Sequence, residues 1–336
     1  MTNTRIVRRR VQQNQPPPPK KKRKVLKRIF LVLLLAFLSV LGYGTYLYVK
    51  AGNTLSDSYV NDGREKSELR DEFVDPTKDN ISMLIMGVDT SEKREGAGTP
   101  RTDALMVATF NKNDKSVNLL SIPRDSYVYI PEVDRETKIN HAHAYGGPNA
   151  TIDTVENLLD IPIDYWITLN FEAFIDVVDA IGGITVDVPY DFEEQDSKDR
   201  AGAISLKEGI QDLDGEEALA LARTRKKDSD VMRGQRQQDI IKAIAKKSVS
   251  LGSVFKYDDI IDAVGKNMST NMKFAEMRAL VHYATTNLDI ETFTLEGEDY
   301  WPPGSAYYWM IDEEALGETK AMLQKHLDIT RPTVVQ

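Results

Sequence analysis

No cysteine occurs in the 336-residue chain. Disulfides, thiolate nucleophiles, cysteine-ligated zinc and iron–sulfur clusters are therefore excluded. Histidine is nearly absent, with 4 in the whole sequence. Only His141 and His143 lie close together, and two ligands are too few to specify a metal site. Two polar loop residues making hydrogen bonds are the better account of them. Also missing are a Walker A loop, a G-x-S-x-G elbow, an H-E-x-x-H helix and a Rossmann glycine fingerprint. Acidic residues are missing from the first 28 positions, which hold eleven of the 43 basic residues. The rest of the chain carries 32 basic against 52 acidic side chains, a net of −20. That imbalance argues against nucleic acid as a partner, because phosphate backbones require a positive field.

What is present begins with an uncharged run, Ile29 to Val49, of 21 residues. At about 1.5 Å per helical residue it spans roughly 30 Å, the thickness of a bilayer's hydrocarbon core. Tyr43, Tyr46 and Tyr48 gather near its C-terminal end, where amphipathic rings favour the interface. Seven basic residues lie between Lys20 and Arg28. Lysine and arginine stay on the cytoplasmic side, so a single-pass type II membrane protein is expected, with a cytoplasmic N-terminus. A cleaved signal peptide would have a shorter apolar region and a small-residue cleavage site. The basic tail is suited to anionic lipid headgroups, and Pro16–Pro19 make a stiff spacer within it.

The expected organisation is a cytoplasmic tail (1–28), a transmembrane signal anchor (29–49), a polar stalk (50–80) with a helical piece between Arg64 and Phe73, and a globular unit from Ile81 onward. Three short apolar runs, Ile81–Val88, Ala104–Phe110 and Val117–Ile122, read as buried strands. Pro148–Leu159 and Phe171–Ile181 read as helices, the second closed by Gly182-Gly183, and Tyr165–Leu169 and Ile184–Val188 as strands. Asp214 opens a helix as N-cap, with Glu217 at the capping-box position, and a long helix follows over Val231–Val249. Helices at Tyr257–Val264, Lys273–Thr286 and Asp312–Leu327, with a strand at Glu291–Leu295, complete the chain. The fold class is α/β, a mixed central sheet flanked by helices.

Charged residues stand at the strand ends. Asp89 ends the first run, Arg101 and Asp103 precede or begin the second, and Arg124-Asp125 follow the third. Ligands of α/β sheets bind beyond strand ends, and an antiparallel second strand would bring Asp103 to the rim shared by Asp89 and Arg124. Surface salt bridging is the plain alternative. A second group holds Arg223, Arg225, Asp230, Arg233, Arg236 and Gln237. Arg233, Arg236 and Gln237 share one helix face by spacing, and Asp230 suits an N-cap. Arginine clusters in so acidic a unit call for an anionic ligand. Their forks match phosphate oxygens, and carboxylates suit Mg²⁺, so pyrophosphate with Mg²⁺ satisfies both sets.

In these residues the sequence resembles the LytR–CpsA–Psr family, and within it the teichoic acid transferases. The strings that carry the resemblance are Met86-Gly87-Val88-Asp89, Arg101 through Met106, Ser121 through Asp125, Lys138 through Ala142, Gly182-Gly183-Ile184, and Asp214 onward to Gln238. The resemblance implies a catalytic domain over 81–250, with 251–336 as the C-terminal part of the same extracytoplasmic unit. It implies a phosphotransferase that moves an anionic glycopolymer from an undecaprenyl-pyrophosphate carrier to a muramic acid hydroxyl of peptidoglycan. Asp89 and Asp103 would hold Mg²⁺. Arg101, Arg124, Arg223, Arg225, Arg233, Arg236 and Gln237 would contact the pyrophosphate, with Arg101, Asp103, Arg124 and Arg225 closest to catalysis and Asp103 a candidate base. Phe171, Phe174, Ile240 and Ile244 would line a polyprenyl groove or simply pack as core. A hydrolase using water at the same site, and a membrane-bound transcriptional attenuator, are the alternatives. The second lacks a recognisable helix-turn-helix motif. The aromatics Tyr300, Trp301, Tyr307, Tyr308 and Trp309 suit either sugar stacking or a core anchor.

Overall fold

Strand β1 (Ile81–Val88) is buried at almost every position, as its unbroken apolar run requires for a central strand. The computed structural model describes residues 21–88, 100–227, 229–248, 261–262, 265, 267–285, 289–304 and 306–329. Asp89 and most of the helix expected at Tyr257–Val264 lie outside them. The chain divides into two units, Met1–Tyr48 and Val49–Gln336. Of the first, the described part belongs to helix α1 (Lys21–Asp57), whose stretch from Phe30 is long and apolar enough to cross a membrane.

In the second unit β1 pairs antiparallel with β2 (Thr102–Asn111), which pairs antiparallel with β3 (Ser116–Ser121). Two short hairpin strands follow, β4 (Tyr127–Ile130) and β5 (Arg135–Lys138), and then helix α2 (His141–Leu159). Strand β6 (Tyr165–Asn170) runs parallel to β1. Helix α3 (Phe171–Ala180), β7 (Ile184–Val188), the pair β8 (Phe192–Glu194) and β9 (Ile204–Leu206), β10 (Gly209–Leu213) and α4 (Gly215–Arg223) build a lateral layer. Helix α5 (Asp230–Ser248) leads back to the sheet. The chain continues through β11 (Met268–Thr270), α6 (Phe274–Thr285), β12 (Asp289–Thr294), the hairpin β13 (Gly297–Tyr300) and β14 (Tyr308–Ile311), and α7 (Glu313–His326). The six-stranded sheet has the order β11-β6-β1-β2-β3-β12. The mixed α/β class expected from the alternation of runs is the class observed.

Each sheet face is covered by helices. Leu84, Met86, Leu105 and Leu120 pack with Ile152 and Val155 of α2 and Leu323 of α7. Met106, Val117 and Leu119 face Ile241 of α5 and Leu280 of α6. A separate apolar cluster fills the lateral layer, where Val178, Ile184, Leu221 and Ile240 are buried and Phe174 and Ile244 pack against them. Asp214 caps α4 in a full capping box with Glu217, as the sequence signals. Gly182 and Gly183 both take positive φ, and the N–H of Gly183 returns to Val178 O at 2.8 Å to close α3.

The polar segment after α1 is not helical between Arg64 and Phe73, where a helical piece was expected. Its side chains bond to the body instead. Arg64 reaches Glu156 at 2.6 Å and Arg70 reaches Asp164 at 2.7 Å. The indole of Trp166 donates to Asp62 at 2.7 Å. These long-range bonds outcompete the weak i,i+4 pairs that a solvated helix would offer. Helix α2 begins at His141, earlier than the expected Pro148, and breaks at Gly146 and Gly147 so that Pro148 opens its second part.

Candidate active site

Because β2 is antiparallel to both neighbours, its start meets the ends of β1 and β3 at one rim. The pairing slips between Gly87 and Val88, which face Ala104 and Thr102 and leave Asp103 as the extra residue. Such a bulge re-aims its side chain. Here the Asp103 carboxylate accepts from Arg124 Nη1 at 2.5 Å. Arg124 is held by its own turn: Ser126 N–H donates to Pro123 O at 3.0 Å, and Asn140 N–H donates to Arg124 O at 3.2 Å.

Helix α5 brings the opposite half of the site. Its first residue, Asp230, has a side chain only 4% exposed and receives Arg233 at 3.1 Å and Arg225 at 3.4 Å, with Arg124 Nε at 3.7 Å. The carboxylate expected to cap the helix is thus an arginine hub, and Ser229 takes the capping position, its hydroxyl 3.4 Å from Met232 N. The helix approaches β3 closely at Gly234, where an added Cβ would stand 2.5 Å from Ser121 Oγ. No larger residue permits that approach without a shift. On the other side Asp125 accepts from Lys138 Nζ at 2.8 Å and lies 3.7 Å from Arg124 Nε.

Among the described residues, Arg124, Arg225, Arg233 and Lys138 therefore share Asp103, Asp125 and Asp230, one carboxylate fewer than the cations. Arg124 Nε and Arg233 Nε are buried with no hydrogen-bond partner among the described residues. Burial, opposed by Asp230 and reinforced by the charges of Arg124 and Arg225, pushes the Arg233 guanidinium down to about 10. An excess of crowded, partly desolvated cations is an arrangement that an anion stabilises.

The other residues singled out by sequence are spread around this hub. Arg101 is exposed just before β2 and lies near His141, whose imidazole is pushed down by burial and then by the Arg101 and Lys138 charges. Arg223 ends α4 over the ring of Phe171, 4.8 Å from its centroid, with Asp199 at 3.9 Å. Arg236 and Gln237 share the α5 face expected of them, yet their donors meet the end of α4. Arg236 donates to Leu221 O at 3.2 Å and to Thr224 O, and Gln237 to Ala222 O at 3.1 Å. They satisfy the orphan carbonyls of a helix C-terminus, where a cation also suits the dipole.

His141 and His143 do not form a ligand pair. They open α2, where residues two apart diverge, and pair with Thr137 Oγ1 at 3.0 Å and Pro100 O at 2.6 Å. Among the described residues no group of three or more His, Asp or Glu side chains is placed to hold a metal ion. Lys138 joins the site although spacing alone did not single it out, and Asp125 and Asp230, read from the sequence as a strand-end charge and a helix cap, are carboxylates of the hub. Asp125 and Lys138 do fall inside the strings that carry the family resemblance, and Asp230 lies three residues before Arg233, a legible ion-pair spacing.

With this geometry in view, known proteins offer a comparison. Residues 45–325 match the family described as LytR_cpsA_psr. The Bacillus subtilis (strain 168) polyisoprenyl-teichoic acid–peptidoglycan teichoic acid transferase TagT is 43% identical over 301 residues, 88% of this chain and 93% of that protein. TagV of the same organism is 39% identical over 317 residues, 92% of this chain and 81% of its own. A solved structure of TagT bound to LIIa-WTA superposes with a TM-score of 0.69 at 41% identity, covering 80% of this chain and 98% of that one. Another, YwtF (TagT) with bound octaprenyl pyrophosphate lipid, gives 0.65 at 38% identity, with the same coverage of 80% and 98%.

Proposed function

The chain belongs to the LytR–CpsA–Psr family, and from that premise we propose that it transfers an anionic glycopolymer, of the wall teichoic acid type, from an undecaprenyl-pyrophosphate carrier to peptidoglycan. The observation that carries this reading is the hub, where four cations crowd around three carboxylates at the rim of the sheet. A diphosphate supplies the missing negative charge. The apolar layer of α3, α4 and α5 lies beside the hub through Arg223 and Arg236, and it offers the polyprenyl chain a non-aqueous surface.

In the proposed step an acceptor hydroxyl of muramic acid attacks the phosphorus nearer the sugar. The bond from that phosphorus to the bridging oxygen breaks, undecaprenyl phosphate leaves, and Asp103 accepts the hydroxyl proton. Arg124, Arg225 and Arg233 hold the diphosphate oxygens and neutralise charge that builds on the leaving phosphate, with Arg101 and Arg223 as outer contacts. Positioning and charge stabilisation supply most of the catalysis in such transfers. Arg236 and Gln237 act by fixing α4 against α5. Asp103 offers hard oxygens on an accessible bulge, the donor type that Mg²⁺ combines with substrate phosphates, so Asp103 and Asp89 would hold that ion, which would lower the basicity of Asp103. When bound it would add charge neutralisation at the diphosphate. The basic tail lies in the cytoplasm and the enzyme unit outside, where its acceptor is.

The test is transfer by the purified chain from a polyprenyl-pyrophosphate-linked polymer, with and without peptidoglycan oligomers. Polymer joined to glycan through a phosphodiester is expected only with the oligomers. Release of free phosphorylated polymer at the same rate in both arms would favour hydrolysis and overturn the transferase reading. Arg124→Ala is expected to lower transfer strongly while leaving the chain folded.

A further inference from the structure

Beside the hub, where Asp125 and Lys138 stand, is an aromatic surface that the reaction above does not use. The hairpin β13–β14 is tied to the rim by its backbone: Trp309 N–H donates to Asp125 O at 2.9 Å, and Ser126 bridges to Trp309. Trp309 and Tyr308 form the inner side, with Trp309 donating to Leu295 O at 3.3 Å and Tyr308 meeting the ring of Tyr127 at 4.8 Å. Trp301 is different. It is 64% exposed at the hairpin's end, with Tyr300 at 46%. Its ring lies 5.0 Å from that of Tyr307, whose hydroxyl donates to Asp299 at 2.8 Å.

This surface is continuous with the site. Lys138 Nζ, which binds Asp125, lies 5.5 Å from the Tyr307 ring and 5.7 Å from the Tyr308 ring. The Tyr307 phenol is pushed up by burial, then by its bond to Asp299, and also by the charges of Asp230 and Asp125. Pro302 and Pro303 follow Trp301 directly and limit its backbone. A core role does not account for an exposed tryptophan on a stiff turn, since Trp309 already anchors the hairpin.

We propose that the exposed face of Trp301, with the Tyr307 ring tilted 46° against it, is a stacking platform for a pyranose of the acceptor glycan, next to the sugar whose hydroxyl enters the hub. Aromatic faces suit the C–H faces of a pyranose, and Asp299 and Lys138 supply polar groups at its edge. In the transferase reading the lipid-bearing donor lies against the apolar layer of α3, α4 and α5, which leaves this aromatic surface for the N-acetylated sugar chain of the acceptor. The assignment rests on the transferase reading for its geometry, but binding is measurable without transfer.

The experiment uses the full chain in detergent micelles with Trp301→Ala, Trp301→Phe and wild type. Calorimetric titration with uncross-linked peptidoglycan glycan oligomers is expected to show affinity falling about tenfold in Trp301→Ala, the loss of one contact of ~1.4 kcal/mol. Trp301→Phe is expected to recover most of it. In transfer assays the acceptor KM rises by a similar factor, on the order of tenfold, while the donor KM stays within about twofold. Equal glycan affinity in Trp301→Ala and wild type would overturn the platform. A rise in donor KM with the acceptor KM unchanged would also overturn it, by assigning the surface to the donor's own sugars. Trp301-dependent glycan binding in a chain that transfers nothing would leave the platform standing and refute the transferase reading.

Discussion

Asp230 tests whether the arginine cluster is held together by a carboxylate or merely decorated with one. Its carboxylate is nearly fully buried and takes two contacts from Arg233, each at 3.1 Å. Asp230→Asn preserves the shape and removes the charge, leaving three guanidiniums to repel one another. Removing one partner of a buried ion pair costs about 3–5 kcal/mol. Arg225 is half exposed and adds little, so about 3 kcal/mol is the expected loss, read by urea unfolding of the full chain. Two further measurements separate the electrostatic account from simple damage. Inorganic pyrophosphate, at about 100 times its Kd, should return roughly 2.7 kcal/mol to the variant, and bind it more tightly than it binds wild type. The double variant Asp230→Asn/Arg233→Met should regain most of the lost stability, because no buried charge at position 233 is left unpaired. A loss below about 1 kcal/mol in the single variant, with no differential effect of pyrophosphate, would refute the hub.

Gly234→Ala should cost about 1–3 kcal/mol by forcing α5 away from Ser121, and Ser121→Gly in the same chain should restore most of it in thermal melts. Arg236→Met should lower stability by about 1–3 kcal/mol, since it leaves α4 carbonyls unsatisfied, whereas Arg124→Ala should lower transfer with a smaller loss of stability. Burial pushes the imidazoles of His143 and His326 below their usual value, 6.5. The unfolded chain therefore binds protons first, so stability is full above pH 6.5 and is lost as pH falls through the lowered folded values. Each histidine contributes a slope of at most about 1.4 kcal/mol per pH unit. His326→Gln should flatten part of the acid limb in urea midpoints measured across pH, and an unchanged limb would show that folding does not shift the His326 imidazole.

The rim was legible because strand length and charge placement coincide. Each apolar run ends or begins at a charged residue, and alternating strand direction suffices to collect Asp103 and Arg124 at one edge. The bulge that turns Asp103 inward was not legible, because strands buried on both faces carry no apolar–polar alternation for a one-residue slip to disturb. Nor does helical spacing say what a shared face meets. Arg233, Arg236 and Gln237 do lie together, but Arg233 turns to Asp230 and the others to the end of α4. That choice is made by the tertiary position of α4, which periodicity does not encode.

Asp230 shows the limit most sharply, since a carboxylate opening a helix has a local explanation that suffices. Two local facts argue against it once the structure is known. Ser229 precedes it and takes the cap, and Arg225 and Arg233 flank it on either side of the turn. A carboxylate with two arginines within five residues competes for ion pairs worth more, when buried, than the ~1 kcal/mol of a cap. The hub's logic then follows from charge balance. Without Asp230 three guanidiniums would not assemble in an unliganded protein. With a full complement of carboxylates they would have no need of a phosphate. Among the described residues the hub is one carboxylate short of its cations, which keeps it assembled while leaving room for the negative charge of a diphosphate.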